Sequence, residues 1–288
     1  MEWLTLITDP LAYPFMLRGF VAVVLVGIVC ALVGTYVVLR GMAFFGDALA
    51  HSILPGIAVG YLISGPDGPL FWWGLVTAVI TSLGIGAITK STRVREDTAI
   101  GIIFAGMFAL GIALISSIRS YAGDLAHFLF GDVLGVSTYD LALTGALGGL
   151  VILIIILFYK EFLVLSFDPI LATTLRLPAR RLENLLLILI AVSIVVSLQT
   201  VGVALMVAML VTPAATAYLL TRRMSRMMIL AAIIASFSGV IGLYLSYYIS
   251  IASGAAIVLV TTILFGLVWA VQSLRQWRLQ SKPSVEAA

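Results

Sequence analysis

The sequence predicts an all-α polytopic membrane protein of about nine transmembrane helices, with eight to ten compatible with its pattern. Apolar runs long enough to span a bilayer recur from Arg18 to Ser273. Of the 288 residues 62% are hydrophobic and only 10% are charged, where soluble domains carry about 25%. The charges that exist fall mostly between the runs. At about 20 residues per crossing, the spans are 19–39, 42–63, 70–89, 98–118, 139–159, 183–200, 202–221, 227–250 and 254–273. The narrow separation between Thr200 and Gly202 is where a re-entrant pair would change the count.

One transmembrane domain, 18–273, thus follows an outer segment, 1–17, and precedes a cytoplasmic tail, 274–288. Alternating the spans gathers every basic residue except Arg18 and Arg119 on one side. The positive-inside rule makes that side cytoplasmic, with the N-terminus outside and the C-terminus inside. No basic residue precedes Arg18, and the first apolar run is longer than a signal-peptide core, so no cleaved signal is expected. Cys30 is the single cysteine, which excludes an intrachain disulfide.

Residues 1–17 hold Trp3, Tyr13 and Phe15 with Pro10 and Pro14, a composition for an interfacial segment. In span one, Gly27 and Gly34 lie seven apart and lay a small-residue stripe for close helix packing, which Gly19 extends.

Span two carries the chemistry. Asp47 and His51 are one helical turn apart and share a face. A charged side chain at bilayer depth costs at least about 2.5–3.5 kcal/mol, so it persists only when paired, hydrated or ligated. Pro55 offers no N–H to the His51 carbonyl and leaves that oxygen free, an irregularity tolerated where protein or water surrounds it. Gly46 and Gly56 bracket the pair and admit a neighbouring helix. These features fit a polar pathway and half of a metal site; a structural ion pair between helices is the alternative. One chain supplies too few ligands, whereas a two-fold dimer would bring two carboxylates and two imidazoles together.

Residues 65–69 form an outer turn, followed by Trp72 and Trp73 at interfacial depth. Residues 90–97 form a charged cytoplasmic loop in which Asp97 is placed to cap span four. The outer stretch 121–137 is too polar and short to cross and reads as an amphipathic or re-entrant helix. Its Asp124, His127 and Asp132 suit a hydrated surface cluster better than an outer cation-collecting site.

In the cytoplasmic loop 160–182, Asp168 is a natural N-cap, Pro169 takes the first helical position and Pro178 ends a helix of two turns. Ile170, Leu171, Thr174 and Leu175 give it an apolar stripe, to be covered by a partner protein or by the lipid surface. In span seven, Pro213 frees the Met209 carbonyl, and Ala214, Ala215 and Ala217 admit a close neighbour. Met206 and Met209 read as core filler before soft ligands. The two proline-broken helices are the natural pair to line a pathway through Pro55, Met206, Met209 and Pro213.

Several functions are excluded by missing motifs. No G-x-x-x-x-G-K followed by Ser or Thr is present, so the chain has no P-loop with which to hydrolyse ATP. Neither H-E-x-x-H nor G-x-S-x-G occurs, which removes the common hydrolase signatures. No feature points to nucleic acid.

The stretch GMAFFGDALAHSILPG at 41–56 resembles the signature of the permease subunits of manganese, zinc and iron ABC importers. EDTAIG at 96–101, DLAHFLFG at 124–131, FDP at 167–169 and VTPAATA at 211–217 extend the resemblance in family order over most of the chain. The resemblance implies a homodimer in a bacterial plasma (inner) membrane, clasped by two cytoplasmic ABC ATPase subunits and fed by an extracytoplasmic metal-binding protein. By position, Asp47 and His51 match the family's pore ligands. Residues 167–177 match its coupling helix, which assigns Phe167, Asp168, Pro169, Ala172, Leu175 and Arg176 to ATPase contact. No permanently bound cofactor is implied; the metal is cargo, Mn2+ first, with Zn2+ or Fe2+ as alternatives. Manganese leads because no cysteine stands beside the pair and a hard carboxylate favours it. Two departures stand out. Arg176 occupies a position where glycine is common, and Ala50 one where serine is common. A proton-coupled carrier using Asp47 and His51 as a relay is the rival reading, and an intramembrane metalloenzyme would need a third ligand.

Overall fold

The computed structural model describes residues 9–66, 68–92, 94–117 and 133–280. Among them all regular structure is helical, and nine helical units are long and apolar enough to cross a membrane. They are α1 (Pro14–Leu39), the broken pair α2 (Phe45–Ser52) and α3 (Leu54–Ser64), α4 (Leu70–Ser91), α5 (Glu96–Ser116) and α6 (Thr138–Leu157), followed by α9 (Ala179–Val201), α10 (Val203–Leu220), α11 (Met224–Ile249) and α12 (Ser253–Gln280). Two short helices, α7 (Tyr159–Phe167) and α8 (Pro169–Thr174), lie between α6 and α9. Each expected span is matched by a helix in the expected order. Trp3, Asp124, His127, Asp132 and most of the outer helix expected at 121–137 lie outside the described residues.

Local chemistry accounts for several shifted boundaries. Pro14 lies in the first turn of α1 behind an extended Tyr13, so the helix begins before Arg18. Gly202, at φ 83°, separates α9 from α10 without a loop, so the narrow gap divides two distinct helices, each long and apolar enough to cross. Ser137 and Asp140 form a reciprocal capping box at the start of α6, and the remaining Asp140 oxygen accepts from Gln199 Nε2 at 2.9 Å. Asp97 does not cap α5. The N-cap is Arg95, extended and without a side-chain bond, and Glu96 and Asp97 lie in the first helical turn, where acids favour the positive helix end.

The loop 160–182 is mostly helix. Asp168 caps α8, its Oδ1 accepting from the N–H groups of Ile170 at 3.0 Å and Leu171 at 2.9 Å. The helix stops short of Pro178. Leu177 N–H donates to Ala172 O and Arg176 N–H to Thr173 O, both at 3.0 Å, the Schellman pattern that places its turning residue in the left-handed region. That residue is Arg176, at φ 56°, which explains physically why glycine suits this position. Pro178 instead leads α9, which therefore starts at Ala179. Replacing Arg176 by glycine is expected to stabilise the chain by roughly 0.5–1 kcal/mol through relief of backbone strain, read as a raised thermal midpoint of the solubilised protein.

The core forms around α1, which touches α6, α9, α10 and α11. Small residues allow it: at Gly27 an added Cβ would sit 3.3 Å from Ala235 Cβ, and at Gly34 it would run into the Leu210 backbone. By contrast α5, α6 and α12 are largely uncovered.

Candidate functional site

The site begins where α1 ends. Gly41, at φ 73°, reverses the chain in a second Schellman turn, with Met42 N–H donating to Val37 O at 2.9 Å and Gly41 N–H to Val38 O at 3.1 Å. At Phe45 α2 starts, and it carries Asp47 in its first turn and His51 in its last.

The helix then breaks at Ile53, and Pro55 lies in the first turn of α3. The break thus precedes the proline, as expected from a ring that disfavours helical backbone before it. The His51 carbonyl is not left wholly free. Denied a donor at Pro55, it receives the Ile53 N–H in a tightened turn. In α10, by contrast, the helix continues through Pro213 without interruption.

Asp47 Oδ1 and His51 Nε2 are 3.6 Å apart, with the imidazole side chain 25% and the carboxylate 37% exposed. That separation is too long for a hydrogen bond. Two ligand atoms on one ion, each bonded at about 2.1 Å, lie roughly 3.0–3.5 Å apart, so a small side-chain rotation converts the pair to two arms of one coordination shell. The imidazole is walled by Phe108 at 5.6 Å and Phe104 at 6.1 Å between ring centroids. Those two rings stack on each other, and Phe44 meets Phe104 edge-on.

Among the described residues His51 Nδ1 is buried with no hydrogen-bond partner. Resident metal sites fix such a nitrogen with a second acceptor that strengthens binding about 10–100-fold. No such acceptor faces it among the described residues. A carboxylate oxygen with an imidazole nitrogen is compatible with manganese, zinc or iron. Among the described residues no three His, Cys, Asp or Glu side chains cluster as a metal site, and Asp47 and His51 stand there as a pair.

The other residues expected along the pathway sit deeper. Met206, Met209 and Pro213 are buried in the core. Contact between α10 and the start of α2 runs instead through Leu210, whose Cδ2 lies 2.6 Å from a Cβ added at Gly46. Gly56 is equally tight, facing Thr77 and Trp73 of α4, and Gly111 of α5 closes on Leu54 and Pro55. The bracketing glycines thus do admit neighbours. At the basic end, Ala172 is buried while Phe167, Ile170, Leu171 and Leu175 are exposed, so α8 presents its apolar stripe outward.

The aromatic wall was not read from the sequence, although Phe104 and Phe108 at helical spacing of four were its visible trace. Nor were the charges at the basic end assigned to one another. Glu183 accepts from Lys90 at 2.9 Å and faces Arg40 at 3.9 Å, pairs that sequence separation conceals.

A bundle of helices long and apolar enough to span a membrane, with an Asp–His pair beside a helix break and a capped helix exposed at its basic end, fits a multi-pass membrane permease. This chain belongs to the ABC 3 transport family, whose sequence profile matches residues 12–272. It is 46% identical to the manganese transport system membrane protein MntC of Halalkalibacterium halodurans, over 93% of this chain and 91% of that one. It is 38% identical to the chelated iron transport system membrane protein YfeD of Yersinia pestis, over 91% and 86% of the two chains. Among solved structures, PsaBC from Streptococcus pneumoniae in complex with Fab contains a chain that superposes with a TM-score of 0.79 at 34% identity, covering 92% of this chain and 94% of that one.

Proposed function

We propose that this chain is the membrane permease of an ATP-driven importer that carries a divalent transition metal inward, manganese first. The observation that carries the reading is the Asp47–His51 pair, one turn apart beside the break at Ile53 and partly exposed on the described protomer. A buried structural ion pair would be closed within the protomer; this one is available to a second copy. Two copies about a two-fold axis then supply two carboxylates and two imidazoles. The relative named for manganese transport supports manganese as cargo, and the one named for chelated iron keeps iron as the alternative.

The partners follow from that reading. An extracytoplasmic binding protein delivers the ion, and ABC ATPase subunits dock on the exposed face of α8 at the basic, cytoplasmic end, which sets the N-terminus outside. Phe167 precedes that docking element and Leu175 and Arg176 follow it, while Asp168 caps it, Pro169 opens it and Ala172 anchors it. ATP binding displaces α8, and the helices around Asp47, His51 and Pro213 exchange closed and open arrangements. Ligation is transient, since a site that holds too well stops conduction.

Reconstitution tests this. Vesicles bearing the chain with its ATPase should accumulate Mn2+ only when ATP is supplied, and an uncoupler should not reduce it. Uptake by the chain alone, collapsed by the uncoupler, would favour a proton-coupled carrier. Competition by Zn2+ and Fe2+ in the same vesicles ranks the cargo.

A further inference from the structure

At the basic end one acid joins the ends of several helices. Glu183 stands one turn into α9, with Oε2 2.9 Å from Lys90 Nζ in the last turn of α4 and Oε1 3.9 Å from Arg40 Nη1 at the end of α1. Each oxygen serves a different cation. Lys90 also donates to Asn184 Oδ1 at 3.0 Å, and Glu96 at the start of α5 lies within electrostatic reach of Arg40, Lys90 and Glu183. The Arg40 side chain is only 12% exposed, and the other two are about a quarter exposed. An acid shared by two cations against a helix bundle is held more firmly than an isolated surface pair.

What each arm is attached to gives the cluster its meaning. Glu183 follows α8 through a short, stiff connection: Leu177 N–H donates to Ala172 O, Ala179 N–H to Leu177 O at 2.7 Å, and Leu182 N–H to Pro178 O at 3.0 Å. Arg40 is followed by the Gly41 turn and then by α2, with Phe45 N–H on Met42 O at 2.9 Å and Ala48 N–H on Phe44 O at 3.0 Å. The ordered path therefore runs from α8 to Glu183, across the ion pairs to Arg40, and along a braced turn to Asp47.

We infer that Glu183, through Arg40 and Lys90, is a positioning residue that relays displacement of α8 to the helix bearing Asp47 and His51. This rests on the transport reading above, since α8 needs a docked ATPase to move it. Glu183 touches no cargo. Its effect is on how much transport each nucleotide drives, a coupling between sites rather than a contribution to ligation.

The test uses the complete complex in vesicles and reads Mn2+ taken up per ATP hydrolysed. E183Q, which keeps the shape and removes the charge, should lower that ratio about fivefold with assembly intact. E183K, which sets three cations together, should lower it further, and adding K90E should recover part of the loss by restoring the Lys90 arm with reversed sign. An unchanged ratio in E183Q, including a parallel fall in hydrolysis and uptake, overturns the relay. So does failure of every variant to assemble, which would give the trio a folding role alone. A wild-type complex that hydrolyses ATP without moving metal would overturn the transport reading and the relay with it.

Discussion

The double variant Asp47→Asn, His51→Ala should lose metal uptake by at least about a hundredfold while still assembling with its ATPase. The size follows from ligand count. Asparagine keeps the outline of Asp47 but not the anionic oxygen, and alanine removes the only imidazole among the described residues, leaving the protomer no strong ligand at this position. Changes to the second layer around a metal already cost about 10–100-fold, so removal of the inner ligands should exceed that. Stability should change little. The pair is 3.6 Å apart and partly exposed, and such pairs contribute about 1 kcal/mol or less. The same two measurements separate the readings. A structural ion pair would show its loss in the thermal midpoint and spare uptake, whereas a transit site does the reverse. Normal uptake by the variant would remove the site assignment.

Much of this was legible because bilayer physics leaves strong traces in sequence. The spans follow from run length, and the orientation expected from basic residues needs only their position between runs. Proline and glycine carried further detail: Pro55 marks a broken helix, Asp168 and Pro169 start α8, and Gly27, Gly34, Gly46 and Gly56 all stand at close contacts. The errors are also local in cause. Asp97 has the composition of a cap, yet Arg95 occupies that position because the helix starts one residue before Asp97. Pro178 looks like a stop, but the left-handed Arg176 had already ended α8.

Contacts between distant segments were not legible. The rings of Phe104 and Phe108 reach His51 from another span, and Glu183 meets Lys90 from 93 positions along the chain. Lipid-facing and core-facing residues are equally apolar in a membrane protein, so hydrophobic periodicity does not reveal which helix faces meet. Met206 and Met209, read from the sequence as core filler yet also placed along the pathway, are buried in the core, a choice between helix faces that apolar composition alone does not make.

The crossing of α1 and α10 should be the point at which the smallest addition does the greatest structural harm. A Cβ at Gly34 would overlap the Leu210 carbonyl oxygen and lie 2.8 Å from its carbon. Backbone has no rotamer by which to move aside, so Gly34→Ala must separate the two helices, at a cost of about 3 kcal/mol at the upper end for overpacked cores. The displacement would not stay local. Leu210 also fills the space over Gly46, the residue before Asp47, and neighbouring Met209 extends its methyl toward Gly239 of α11. Moving α10 therefore disturbs the helix that holds the Asp47–His51 pair, and uptake should fall together with the thermal midpoint. Gly149→Ala is the matched control, because an added Cβ there meets nothing within 4 Å and alanine is the better helix former; it should leave both unchanged or slightly raise the midpoint. Equal midpoints for the two variants would mean that α1 and α10 cross less closely than this packing requires.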